Sequence, residues 1–142
     1  YALGHKFMTD ILELRFEGQQ ANQAVDNAWR SVLYALLEGA SESLGIRRED
    51  LDGTLYYNKG SSIPSLILYD DVPGGAGHVK RVLNYLPDTI LAARERVSHD
   101  CCGPETSCTE CLRNYRNQPY HEELKRGLAK SFLDELVHSF NL

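Results

Sequence analysis

All four cysteines of this 142-residue chain fall between Cys101 and Cys111, and no cysteine occurs elsewhere. A disulfide framework gains most by joining distant segments, because closing a long loop removes more disorder from the unfolded chain. Four cysteines in one short loop would staple little, so metal binding explains the cluster better. The spacing is Cys-Cys-x5-Cys-x2-Cys. The Cys108-x2-Cys111 half has the form of a metal knuckle, in which a short turn aims two thiolates at one point. Zn²⁺ prefers four soft or borderline ligands in a tetrahedron, and a site closed by four thiolates leaves no open position for water. The expected cofactor is therefore zinc, in a structural rather than a catalytic role, held by Cys101, Cys102, Cys108 and Cys111.

Cys101 and Cys102 are adjacent. Neighbours in an extended chain point to opposite sides, so both reach one ion only if the backbone bends there. His99 or His121 is the alternative fourth ligand. Gly103 and Pro104 suit the reversal between the two halves of the loop. Four thiolates around Zn²⁺ carry a formal charge of about −2, which Arg113 and Arg116 are placed in sequence to offset. Reduced core cysteines and Cys-x-x-Cys redox chemistry are the competing readings; no thioredoxin-like βαβ pattern surrounds the motif.

Residues 8–16 alternate Leu12, Leu14 and Phe16 with Glu13 and Arg15, the period of a strand buried on one face. Residues 22–44 carry Val25, Ala28, Trp29, Val32, Leu33, Leu36, Leu37 and Ala40 at helical spacing, with Gly45 as the stop. Trp29 is expected in the core. Strands are expected at 51–57 and 65–70, helices at 78–86 and 87–97, and a final helix at 120–140 with Leu124, Leu128, Phe132, Leu136 and Phe140 on one stripe. The expected architecture is one α+β domain over residues 1–142. It is a small mixed sheet packed by a long amphipathic helix, with C-terminal helices around a four-cysteine zinc loop.

Between a strand and a helix lies Asp70-Asp71-Val-Pro-Gly74-Gly75-Ala-Gly77-His78. Backbone amides in such a turn are able to cradle an anion, which makes Gly74, Gly75 and Gly77 a candidate anion-binding turn. Close packing of helix on strand is the plainer use of these glycines. The segment is neither a Walker A sequence nor a complete dinucleotide fingerprint, so no nucleotide motor is expected here. A hydrolytic cluster of Asp70, Asp71 and His78 is the remaining reading.

The formal net charge of −5 argues against a broad cationic grip on nucleic acid. The charge is nevertheless uneven. Residues 112–130 hold Arg113, Arg116, Lys125, Arg126 and Lys130 against Glu122 and Glu123, a local excess of +3, whereas residues 1–60 hold six basic against nine acidic side chains. These five basic residues are candidate DNA contacts, with Tyr115 and Tyr120 interleaved for stacking on unpaired bases. A solvated helix surface gives the same pattern. No apolar run has the length of a membrane span and no secretory signal is visible, so a cytoplasmic chain without membrane contact is expected. The chain begins at Tyr1, without methionine, and is read as a piece of a larger protein.

Tyr69-Asp70-Asp71-Val-Pro-Gly-Gly-Ala-Gly-His78, the cysteines, and then Cys111-Leu-Arg-Asn-Tyr115-Arg-Asn-Gln-Pro-Tyr-His121-x2-Leu124-x-Arg126 resemble the MrfA-like zinc-binding domain family, as does the early Thr9-Asp10-x-Leu12. The resemblance runs over almost the whole chain. In that family the usual loop separates the first two cysteines by one residue; here they are adjacent. The family's domain lies at the C-terminal end of DEAD/DEAH-box superfamily 2 helicases, DNA-repair helicases among them, and in a component of the DISARM anti-phage system. The resemblance implies four zinc ligands at Cys101, Cys102, Cys108 and Cys111. It also implies a non-enzymatic accessory domain that supports a helicase core and engages DNA; the overall acidity implies that the isolated domain binds it weakly. The ATP-binding motor would lie in the rest of the parent protein. The alternative is a protein-interaction module docking a subunit of a defence complex, and an isolated hydrolase ranks third.

Overall fold

The computed structural model describes residues 2–8, 11–17, 28–60, 63–73 and 76–142; for residues 2–8 and 17 the description is of the backbone. Four strands, β1 (Ala2–Met8), β2 (Ile11–Glu17), β3 (Leu51–Tyr56) and β4 (Ser65–Asp70), form one sheet in the order β1-β2-β4-β3. The strand expected over residues 8–16 corresponds to β2, with residue 8 the last of β1; Thr9 and Asp10 of the early motif lie outside the described residues.

The expected mixed sheet is corrected: every described pairing is antiparallel. The physical reason lies in the connection. Helix α1 (Trp29–Leu44) carries the chain from β2 to β3, which run parallel to each other, but β4 inserts between them and opposes both. A crossover helix normally joins parallel strands, so the parallel relation is present without a parallel ladder.

Alternation decides which sheet face is covered. Leu12 lies opposite Leu68 and Leu14 opposite Leu66, all buried against the helices, while Ile11 and Tyr69 share the other face. On the covered side α1 is buried almost all round from Trp29 to Ala40, which makes it a core helix rather than a surface one. Gly45, at φ +65°, ends it in the left-handed conformation that costs glycine little. Residues 22–27 of the expected longer helix lie outside the described residues.

Helix α2 (His78–Asn84) leads into α3 (Leu86–Val97), which begins with Pro87 in its first turn. A Cβ on Gly39 of α1 would lie 2.6 Å from Ala93 N and 2.7 Å from Thr89 O, so α1 and α3 approach as closely as a glycine permits. Helix α4 (Arg126–Ser139) completes the core through Phe132, Leu133 and Leu136. Trp29 stacks on Phe16 at 5.6 Å between ring centroids, and Phe132 meets both edge-on at 5.0 and 5.1 Å, joining β2, α1 and α4. The final helix starts six residues later than expected. Asn114 caps a short 3₁₀ segment, Tyr115–Tyr120, which contains Pro119. No helix among the described residues is long and apolar enough to cross a membrane.

Candidate metal centre

The cysteine loop hangs between the end of α3 and the start of α4. The chain bends at Cys101 and Cys102, which supplies the turn that adjacent ligands require. At the other half, Cys108 O accepts the amides of Cys111, Leu112 and Arg113 at 3.3, 3.1 and 2.9 Å, and the Cys108 amide donates to Cys111 Sγ at 3.3 Å. This fan of bonds is the knuckle expected from Cys-x2-Cys.

The four Sγ atoms all lie within 4.8 Å of one another. Cys111 Sγ is 3.9 Å from both Cys102 Sγ and Cys108 Sγ. A disulfide would bring a pair to about 2.05 Å, and all four cysteines are free. Tetrahedral zinc with Zn–S near 2.3 Å requires S···S near 3.8 Å, which the two 3.9 Å separations match. Neither alternative histidine joins the group. His99 is exposed and faces Glu95 at 3.5 Å. His121 Nε2 lies 3.0 Å from Asn114 O and 2.9 Å from Asn117 Oδ1. Because Asn114 O is a carbonyl, Nε2 carries a proton and donates, which occupies that nitrogen.

The four thiols differ in how readily they ionise. Burial, with the Cys108 hydrogen bond next, pushes the Cys101 thiol up to about 11. Burial, reinforced by the neighbouring sulfurs, pushes Cys111 up to about 12. Burial also opposes ionisation of Cys108, but the Glu110 amide and hydrogen bonds with the other three sulfurs outweigh it and hold that thiol below its ordinary value. One thiolate is therefore stabilised by its neighbours and further ones are resisted. A divalent ion has to displace the remaining thiol protons as it binds.

Three arginines brace the loop from outside. Arg96 of α3 donates to Cys111 O at 2.7 Å. Arg126, at the first position of α4, donates to Cys102 O at 2.8 Å and Val97 O at 3.1 Å. Arg113 donates to Ser107 Oγ at 2.8 Å and to His121 O at 3.2 Å, tying the loop to the segment that follows it. Arg96 also reaches Glu38, a buried carboxylate in α1 that meets Arg48 at 3.4 Å and accepts from Asn114 Nδ2 at 3.1 Å. Glu38 and Arg96 were not singled out from the sequence; the available signal was an acidic side chain within an otherwise apolar helical segment.

The five basic residues of 112–130 are drawn to different neighbours. Arg113 and Arg126 point inward to the loop. Arg116 meets Asp71 at 2.6 Å and Asp52 at 3.7 Å, beside the sheet. Lys130 shares Asp134 with Arg94 of α3, each at 2.7 Å. Lys125 donates through Nζ to Glu122 O at 2.8 Å and lines a cleft with Pro104, Glu105, Gly127, Leu128 and Ser131. Tyr115 is 84% exposed, whereas Tyr120 lies under Arg30, 3.9 Å from its ring centroid.

In the glycine turn, Gly74 and Gly75 lie outside the described residues, and Gly77 has φ +73°. The amides of Ala76, His78 and Val79 point at the carboxylate of Asp70, at 2.9, 3.2 and 2.9 Å. The anion held there is the chain's own. Asp71 turns to Arg116, and His78 Nε2 lies 3.9 Å from Asp50, so Asp70, Asp71 and His78 are engaged with separate partners.

Residues 32–112 match the family model of the MrfA Zn-binding domain, more than half of the chain. Druantia protein DruE of Escherichia coli (strain UMEA 4076-1) is 29% identical over 147 residues, covering 92% of this chain but 8% of that protein. The crystal structure of the DUF1998 helicase MrfA bound to DNA superposes with a TM-score of 0.63 at 17% identity, over 89% of this chain and 17% of that one. The complex of the same helicase with DNA and AMPPNP superposes with a TM-score of 0.52 at 17% identity, over 94% and 21%. These two likenesses concern the fold. The chain therefore spans a small part of each of these longer proteins. The cofactor of the matched family is zinc, and the sulfur spacing here fits it; by this match the chain belongs to the MrfA Zn-binding domain family.

Proposed function

We propose that this chain is a structural zinc domain, without catalysis of its own, that supports the motor core of a DNA-processing superfamily 2 helicase and contributes to its DNA contact. Cys101, Cys102, Cys108 and Cys111 hold one Zn²⁺. The observation that carries this reading is the convergence of four sulfurs within 4.8 Å from a loop braced by three arginines. Zinc closed by four thiolates supplies cross-linking rather than chemistry. It would fix the carbonyls of Cys102 and Cys111 where Arg126 and Arg96 bind them, and so lock α3 and α4 to the loop.

For DNA, Arg116, Lys125 and Lys130, together with exposed Tyr115, are the contacts open to solvent. Arg113 and Arg126 of the same basic stretch serve through the loop they hold. The carboxylates on Arg116 and Lys130 must be displaced or shared for phosphate to bind, which fits a weak contact in the isolated domain. Cobalt substitution tests the metal assignment. Co²⁺ added to reduced, metal-free protein should give the strong visible bands and sulfur charge transfer of tetrahedral thiolate coordination, displaced by one equivalent of zinc. Cys108→Ser should weaken both features. An octahedral spectrum would overturn the four-thiolate assignment.

A second reading, an interaction module in an anti-phage defence complex, is favoured by the match to Druantia protein DruE over 92% of the chain. The two readings diverge in the longer protein: loss of DNA affinity on substituting Arg116 and Lys125 supports the first, and loss of a subunit with DNA affinity intact supports the second.

A further inference from the structure

Arg126 is 4% exposed, yet no buried carboxylate among the described residues pairs with it. Its ion pair is with Asp100 at 3.8 Å, and Asp100 is fully exposed. Its Nε is buried without a hydrogen-bond partner. Its other two nitrogens are spent on carbonyls, Cys102 O and Val97 O. A guanidinium cannot shed its charge, so this is a buried cation whose stated partners are neutral or solvated.

Its position compounds the difficulty. Arg126 is the first residue of α4, after the N-cap Lys125, and a helix N-terminus carries positive partial charge that disfavours a cation. The amides of Arg126 and Gly127 there donate to Thr106 O and Pro104 O, each at 2.8 Å, so the positive end of the helix faces the cysteine loop. Helix terminus and guanidinium thus both donate to carbonyls at or beside the cysteine loop, and both favour negative charge there.

We propose that Arg126 is the charge-compensating, positioning residue of the metal centre. The zinc–tetrathiolate, at a net charge of about −2, is the counter-ion that its burial requires, so metal binding and the Arg126 charge stabilise each other. The proposal rests on the four-cysteine ligand set. It differs from a packing role in one respect: zinc held by four thiolates adds negative charge beside Arg126, so the Arg126 charge should matter more in zinc-loaded than in metal-free protein. Arg96, which has Glu38 and Glu42 as carboxylate partners, lacks this dependence.

The test compares wild type, Arg126→Lys, Arg126→Gln and Arg126→Met for zinc affinity, by competition with a chromophoric chelator, and for stability with and without zinc. Lysine keeps the charge and loses the fork; glutamine keeps an N–H donor and loses the charge. The expected order of zinc affinity is wild type, then Lys, then Gln and Met, with Gln at least tenfold below wild type. Arg126→Met should lower the melting temperature more in the zinc-loaded than in the metal-free protein. Arg126→Gln binding zinc as tightly as Arg126→Lys, or equal destabilisation with and without metal, would overturn the proposal while wild-type zinc binding stands. If Arg126→Met does not fold, the comparison of Lys with Gln decides. Wild type that takes up no zinc would overturn the ligand set and this proposal together.

Discussion

The amide of Gly127 donates to the carbonyl of Pro104 at 2.8 Å, and a Cβ on Gly127 would lie 2.8 Å from that same oxygen and 2.8 Å from Pro104 Cβ. The cysteine loop and α4 are thus in backbone contact, with no room for a methyl group. Gly127→Ala should push them apart. Overpacking of this kind costs about 1–3 kcal/mol, and because the displaced residues flank the cysteines, zinc should also leave faster. Thermal melting and the rate of zinc transfer to a chelator check both effects; unchanged transfer would show that the loop tolerates the displacement.

Asp70 takes three amides at the start of α2. Hydrogen bonds to charged groups contribute about 1.5–3 kcal/mol each where they are well formed, and exposure of part of the turn reduces the total. Asp70→Asn should lower stability by about 1–2 kcal/mol in urea denaturation and leave the zinc content unchanged. Added phosphate or sulfate should not protect the wild type specifically, since its amides already hold a carboxylate.

Much of this was legible in the residues. The period-two run at Leu12–Phe16, the apolar stripe around Trp29 and the short run at 65–70 each became the expected element because burial on one face imposes its own spacing. The cysteine cluster was equally plain, since metal knuckles are local in sequence. What stayed hidden depends on distant partners. Charge counting treats Arg113 and Arg126 as surface, but their acceptors are loop carbonyls and hydroxyls that sequence does not locate. Likewise the insertion of β4 between β2 and β3 is a pairing choice across more than fifty residues, beyond any local pattern.

Asp134 of α4 meets Arg94 of α3 and, one turn back on its own helix, Lys130. Burial raises its pKa, but hydrogen bonds and charge from Lys130 and Arg94 outweigh that and leave it below the ordinary carboxylate value. A carboxylate with a depressed folded pKa stabilises the protein above its unfolded pKa of about 3.9. That contribution disappears as pH falls through the lower folded value. The group is one-third exposed, so the effect should stay below about 1 kcal/mol. NMR titration of the Asp134 carboxyl should give a depressed midpoint that returns toward normal in Arg94→Ala; a normal midpoint in wild type contradicts the bridge.

In the longer protein, Arg116→Ala and Lys125→Ala should weaken DNA binding and flatten its salt dependence, each by about one phosphate contact, without loss of zinc. Arg113→Ala should behave differently. It removes the ties to Ser107 and His121, so it should lower stability and loosen zinc first. Fluorescence anisotropy at two salt concentrations, paired with zinc measurement on the same samples, separates these outcomes. Unchanged DNA affinity in all three would favour the partner-docking reading.

The most direct measurement of the central claim is zinc content and thiol count on one preparation purified without added metal. The account predicts about one zinc per chain, with the thiols of Cys101, Cys102, Cys108 and Cys111 reacting slowly until a chelator removes the ion and four then titrating together. Replacing Cys108 or Cys111 with serine should abolish stoichiometric zinc and lower the melting temperature. A folded, metal-free protein whose four thiols titrate freely from the start would contradict it.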